Sequence, residues 1–294
     1  MKILIAADME GITGVVHWDQ VNPDHAEYSR FRKLMTGDVN AAIRGAFAGG
    51  ATTVTVTDGH HNGRNILIEE LDPRATLNSG SPSPLSMVQG VDEDVDGVML
   101  VGYHGRMGAV NAILDHTWSD ELVSGLWING QAFGEAGLNG AVCGHFNVPV
   151  IMASGDQTLC AEVLELFGNK IEIAQVKKAV SRMSAECLPP SVTASLIEEL
   201  DPRATLNSGS PSPLSMVQGV DEDVDGVMLV GYHGRMGAVT LSGLGAFLLF
   251  KLIVARLATS SIRLAVTEGG KHSADMRLAD FFTCATSILL PNNS

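Results

Sequence analysis

Residues 2–7 read Lys-Ile-Leu-Ile-Ala-Ala, an apolar run without polar alternation. A strand of this kind has no face to offer to water, so it belongs inside a parallel sheet covered on both sides. Residues 52–57 form a second strand, rich in β-branched side chains, and residues 97–103 a third. Between the first two, Tyr28, Phe31, Met35, Val39, Ile43 and Phe47 recur at spacings of three and four. They share one face of a helix within 24–48, ended by Gly49-Gly50. Residues 126–133 read as a hairpin turning at Asn129-Gly130. A helix near Glu135, a strand at 148–153, a helix at 157–167 and a strand at 170–176 come next. The alternation predicts an α/β fold: a mostly parallel central sheet flanked by helices.

In such sheets ligands bind outside the carboxyl ends of the strands. Three predicted strands end there in metal-ligand residue types. The first runs into Asp8-Met-Glu10, the second into Asp58-Gly-His60-His61, and the third into Tyr103-His104. Glu135 stands at the junction of hairpin and helix. Carboxylate oxygen and imidazole nitrogen are the usual ligands of catalytic zinc. Taken singly, each residue is a helix cap or a packed polar group. Gathered at one sheet edge, they are costly to bury without a cation. His116 lies about a dozen residues after the third strand and is a candidate acid/base. Asp115 is placed to orient it, and Asp58 to support a ligating histidine.

The charge of −14 argues against nucleic acid and anionic membranes, whose phosphates call for lysine and arginine. The N-terminal apolar run is too brief for a signal sequence. Four scattered cysteines (Cys143, Cys160, Cys187, Cys284) without a CxxC pair suggest reduced thiols and a cytoplasmic location. Residues 92–97 imitate the start of an EF-hand loop, but the twelfth position is Tyr103 rather than glutamate, so calcium is rejected. The phosphate-loop, dinucleotide and nucleophile-elbow signatures are missing.

Residues 67–110 recur without a change at 196–239, 44 residues at an offset of 129. Solenoid repeats are shorter, more numerous and diverged. Perfect identity with abrupt edges points to a very recent duplication, an engineered sequence or a sequence-assembly error. The second GYHGR segment, with Tyr232-His233, lacks partners resembling Asp8, His60 or Glu135. The first copy is expected to fill the sheet, because it closes the shorter loop. Beyond the second copy, residues 241–258 are strongly apolar, but Lys251 and their short length weaken a membrane span. They read as a core or interface helix. The expected organisation is an α/β domain at 1–190 and an atypical C-terminal region at 191–294.

DMEGITG at 8–14, TDGHHN at 57–62, GYHGR at 102–106, the His116 segment and GEAGLN at 134–139 stand in one order. Together they resemble the DppA-type zinc-dependent D-aminopeptidases. The similarity extends over about 1–190, through MASGD at 152–156, and the C-terminal third departs from it. The resemblance implies two zinc ions per subunit on Asp8, Glu10, His60, His104 and Glu135, with Asp8 bridging and His116 catalytic. It also implies short peptide substrates with an N-terminal D-amino acid, such as D-alanyl peptides, and ring-shaped homodecamers. The expected mechanism is hydrolysis by a zinc-activated water. Two rivals remain: another dinuclear amidohydrolase or phosphoesterase, and a metal-binding assembly protein without turnover.

Overall fold

The N-terminal apolar run is β1 (Lys2–Ala7), and its residues divide between two cores. Ile3, Ile5 and Ala7 point into one, and Leu4 and Ala6 into the other. The computed structural model describes residues 1–199 except 122, 129 and 130, with the strand segments 227–231, 263–265 and 274–275. β1 pairs in parallel with β2 (Thr53–Asp58) on one side and β4 (Gly97–Val101) on the other. β3 (Ala75–Asn78) extends the sheet beyond β2, and β7 (Val150–Asp156) and β8 (Glu172–Ser181) extend it beyond β4, all in parallel. β9 (Ser184–Cys187) closes the edge antiparallel to β8. The order is β3-β2-β1-β4-β7-β8-β9. This is the expected mostly parallel sheet.

One face carries α1 (Tyr28–Ala48), whose Tyr28, Phe31, Met35, Val39 and Ile43 are buried as their spacing requires. Phe47 is only partly buried and packs beside them. Gly50, at φ +96, supplies the left-handed residue that ends the helix. α4 (Pro190–Glu198), which no pattern in the sequence announces, lies against α1. Ile197 is fully buried there, and Arg44 Nε meets Glu198 Oε2 at 2.8 Å. The opposite face carries α2 (Glu135–His145) and α3 (Gln157–Phe167), which cover Leu4, Val98 and Leu100 with Val142, Val163 and Phe167. Asp156 caps α3 by accepting the N–H groups of Thr158 and Leu159, both at 2.9 Å.

A second sheet is built on the expected hairpin, β5 (Val123–Ile128) and β6 (Gln131–Phe133), paired antiparallel. β10 (Val227–Gly231) adds antiparallel to β5, and β11 (Arg263–Ala265) and β12 (Ala274–Asp275) complete the order β12-β11-β10-β5-β6. The turn at Asn129-Gly130, the apolar stretch 241–258 and Cys284 lie outside the described residues. Cys143 and Cys160 are buried free thiols, and burial pushes each up to about 12. Among the described residues no helix is long and apolar enough to cross a membrane.

Candidate metal centre

The three strand ends meet because their backbones are tied together. Asp8 N–H donates to Val101 O, Gly11 N–H to Gly102 O and Gly59 N–H to Ala7 O, at 2.7–2.8 Å. Tyr103 N–H donates to Ser154 O, and Gly102 N–H to Ser154 Oγ at 2.9 Å. Two glycines permit this close approach. A Cβ on Gly11 would stand 1.8 Å from Tyr103 O, and one on Gly102, at φ +75, would stand 2.4 Å from Asp8 O. All five expected ligands come together as a result, and all are buried.

Asp8 lies between two histidines. Its Oδ1 is 3.4 Å from His60 Nδ1 and its Oδ2 is 3.4 Å from His104 Nε2. His60 Nδ1 is also 3.1 Å from Glu10 Oε2, and His104 Nε2 is 3.6 Å from Glu135 Oε2. His116 joins the group: its Nε2 is 3.7 Å from Glu135 Oε1, and its ring stacks on His104 at 4.0 Å and 9°. Donor atoms of Asp8, Glu10 and His104 lie within 4.8 Å of one another, as do those of His104, His116 and Glu135. Each carboxylate thus faces imidazole nitrogen in a space sized for cations.

Each of the three histidines has one nitrogen committed to a backbone carbonyl. His60 Nε2 donates to Val21 O at 2.8 Å, His104 Nδ1 to Gly105 O at 3.0 Å, and His116 Nδ1 to Leu114 O at 2.8 Å. A carbonyl only accepts, so these nitrogens carry protons and the opposite nitrogens face the carboxylates. A metal-ligating histidine is oriented in the same way. Asp8 Oδ2, Glu10 Oε2 and His104 Nε2 are buried without a hydrogen-bond partner. The nearest approaches, Asp8 Oδ2 to His104 Nε2 at 3.4 Å and Glu10 Oε2 to His60 Nδ1 at 3.1 Å, do not satisfy them, and orphaned buried atoms of this kind are expensive. The donor set therefore fits divalent cations bound by oxygen and nitrogen.

Electrostatics point the same way. Burial alone would raise the Asp8 carboxyl, but the facing His104 and His60 imidazoles hold it well below the usual range. Burial would lower His60 and His104, yet Glu10 and Asp8 around the first, and Glu135 and Asp8 around the second, push both well above an ordinary imidazole. Without metal, protons on these rings supply the positive charge that the carboxylates demand.

Two expectations about supporting residues are corrected. Asp115 does not touch the His116 ring. Its Oδ1 accepts from Arg182 Nε at 2.8 Å and its Oδ2 from Gly108 N–H at 2.8 Å. Leu114, at φ +50, turns the loop so that consecutive side chains diverge. Asp58 does not bond a ligating ring either. It accepts the backbone N–H groups of Asn65 and Ile66 and the Asn65 amide, while Asn65 Nδ2 also donates to His60 O at 2.6 Å. Asp58 holds the His60 loop through Asn65.

Lys177 has no signature in the sequence. It is fully buried, and its Nζ donates to the carbonyls of Glu10, Ile12 and Val15 at 2.6, 3.0 and 2.7 Å. Asp38 fastens the same loop by accepting Thr13 N–H and Thr13 Oγ1–H, each at 2.8 Å. Tyr232 and His233 of the second copy lie outside the described residues.

Comparison with known proteins places the chain in a family. The family model described as D-aminopeptidase matches residues 1–199 and, a second time, 195–242, a span that holds the repeated block. A D-aminopeptidase of Bacillus subtilis is 36% identical over 218 residues, covering 73% of this chain and 77% of the relative. A solved structure described as the Zn-dependent D-aminopeptidase DppA from Bacillus subtilis, a self-compartmentalizing protease, matches with a TM-score of 0.69. It is 36% identical, and the match covers 73% of this chain and 77% of that one. A family match over more than half the length, joined to that identity, makes this chain a member of the D-aminopeptidase family.

Proposed function

We propose that this chain is a zinc-dependent aminopeptidase that releases the N-terminal D-amino acid from short peptides, with D-alanyl peptides as the test substrates. The observation that carries the reading is the histidine triplet: each ring is anchored by one nitrogen to a carbonyl and turns the other toward buried carboxylates. Zinc is taken from the description of the relative, and the orphaned oxygen and nitrogen atoms here suit it. Two ions per subunit would be held by Asp8, Glu10, His60, His104 and Glu135. Asp8 would be shared, since its two oxygens face different histidines. Bound zinc supplies a Lewis acid and lowers the pKa of water toward neutrality.

The remaining steps belong to the chain. His116 carries the proton, because its Nδ1 is fixed on Leu114 O and only Nε2 is free to receive a proton and pass it to the leaving amine. Glu135 is held by Trp118 N–H, which donates to its Oε1 at 2.7 Å, so the carboxylate keeps its place beside both His104 and His116. Burial of Asp8, Glu10, His104 and Glu135 at 5% exposure or less strengthens every charge interaction at the site. The catalytic unit is the α/β domain at about 1–190. The self-compartmentalizing relative supports a homo-oligomer, taken here as a ring-shaped decamer in the cytoplasm.

Release of D-alanine from D-alanyl peptides, with and without chelator, tests the reading. Activity should vanish with chelator and return with zinc. Full activity in Asp8→Ala or His104→Ala would sink it. Turnover of phosphate esters in place of peptides would favour another dinuclear hydrolase. Stoichiometric zinc without any turnover would favour a metal-binding assembly protein.

A further inference from the structure

The β8–β9 hairpin comes from the far edge of the sheet, yet its turn residue reaches the His116 loop. Arg182 Nε donates to Asp115 Oδ1 at 2.8 Å and Arg182 Nη2 to the Asp115 carbonyl at 2.9 Å. The Arg182 carbonyl in turn accepts Leu114 N–H at 2.9 Å. The guanidinium also lies over the Trp18 ring, 5.6 Å from its centroid, and Trp18 meets the His116 ring edge-on at 5.3 Å and 72°. Arg182 therefore touches three neighbours of His116 without touching the imidazole itself.

The loop needs such a hold. Leu114 and Trp118 have positive φ, +50 and +61, a region that bulky side chains adopt only when tertiary contacts impose it. Leu114 O is also the acceptor that fixes His116 Nδ1. Whatever sets the Leu114 backbone sets the direction of His116 Nε2. The Arg182 side chain is 44% exposed, so its pairing with Asp115 adds little to global stability. Its contacts are concentrated on the loop that carries the imidazole and on Trp18, which packs against that ring.

We propose that Arg182 is a positioning residue. Its side chain, by gripping Asp115 and Trp18 beside the backbone bond from Leu114, fixes the His116 ring flat against His104 with Nε2 toward Glu135. The inference rests on the reading of His116 as the proton carrier, so the experiment varies both residues. Arg182→Met, Arg182→Lys, His116→Ala and the His116→Ala/Arg182→Met double variant are assayed as full-length, zinc-loaded protein on a D-alanyl peptide. Arg182→Met should lose about ten- to hundredfold in kcat, the scale of a 1 Å misplacement, with KM little changed. Lysine should restore part of the loss, because an ammonium can meet one Asp115 oxygen but cannot span carboxylate and carbonyl together. The double variant should be no slower than His116→Ala alone.

In metal-free protein, proton NMR supplies an independent readout. The His116 Nδ1–H, protected by Leu114 O in the parent, should exchange rapidly in Arg182→Met. If that variant fails to fold, Asp115→Asn takes its place, since the amide keeps an acceptor for Gly108 N–H while the charge pairing with Arg182 is lost. Parent kcat in the arginine variant, or losses that multiply in the double variant, overturn the inference. Full activity in His116→Ala overturns the underlying reading and the inference with it. Loss in His116→Ala with none in Arg182→Met overturns the inference alone.

Discussion

Gly11→Ala puts a methyl group where the Glu10 loop and the His104 loop touch. Its Cβ would lie 1.8 Å from Tyr103 O and 2.5 Å from both Gly102 C and Tyr103 C, all backbone atoms, against a tolerable limit of 3.0 Å. The loops must therefore separate by about 1.2 Å, the difference between that limit and the closest approach. Neither loop yields easily. Glu10 comes just after the core strand β1, His104 just after β4, and Gly102 at φ +75 is already in a left-handed conformation. Metal–ligand distances tolerate only about 0.2 Å, so the proposed zinc site should weaken about 10- to 100-fold. Activity should fall about 100-fold, and the metal-free fold should lose about 1–3 kcal/mol from overpacking. Competition with a chromophoric chelator measures the affinity, and urea denaturation in chelator measures the fold. Gly37→Ala is the control, since nothing lies within 4 Å of its Cβ in α1; it should stabilise by about 0.5–1 kcal/mol. A Gly11→Ala protein with parent zinc affinity and parent stability would refute the reasoning, because it would mean that the two ligand loops are not held in contact.

Lys177→Met removes the donor shared by Glu10, Ile12 and Val15 carbonyls. Leaving these buried carbonyls without their donor should cost about 1–3 kcal/mol for each one left unsatisfied, read as a lower urea midpoint in chelator together with weaker zinc binding. Burial raises Asp38 from 3.8 to about 6, so between those values the folded chain keeps a proton that the unfolded chain has released. Stability then falls as pH rises from about 4 to about 6, by about 3 kcal/mol at most; urea midpoints across that range should show the slope, and Asp38→Asn should flatten it.

The strand ends were legible because chemistry and topology coincide there. A parallel strand shows an unbroken apolar run, and the polar residues at its end can only lie at the sheet's edge. Asp8, Glu10, His60 and His104 all belong to this class. Lys177 does not. In the two-residue period of a strand, burial of Val176 predicts an exposed Lys177. A register shift opposite Gly155/Asp156 pairs Gln175 with Gly155 and Lys177 with Asp156, so both neighbours turn inward. Nothing in the local sequence announces that shift. Asp115 misled for a related reason: adjacency along the chain suggested contact with His116, whereas the positive φ of Leu114 sends it to Arg182. Arg182 itself lies 67 residues from Asp115 and carries no local pattern.

The repeated block shows how far identical sequence is from identical structure. Val-Met-Leu-Val-Gly at 98–102 runs through β4, parallel to β1 and β7, whereas at 227–231 it is β10, antiparallel to β5. The sequence Leu-Ile-Glu-Glu behaves similarly. At 67–70 it enters a 3-10 turn with Ile68 68% exposed, and at 196–199 it closes α4 with Ile197 fully buried against α1. Local propensity is the same in each pair, so tertiary context alone decides. Loop length contributes little: Leu100 pairs with Ala6 across 94 residues, and the second copy stands 129 residues further on, a difference of about 0.8 kcal/mol in closure entropy. The sharper discrimination comes from the residues C-terminal to each copy. After the first copy, Asp115 Oδ2 accepts from Gly108 N–H and Thr117 Oγ1 from Met107 N–H, while Ile113 N–H donates to Asp156. After the second copy the chain reads Thr240-Leu-Ser-Gly and has no equivalent of Asp115, His116 or Thr117. The segment that carries the proposed proton carrier is thus also the one that locks the first copy into the sheet, so the same bonds that build the site select which of two identical strands completes it.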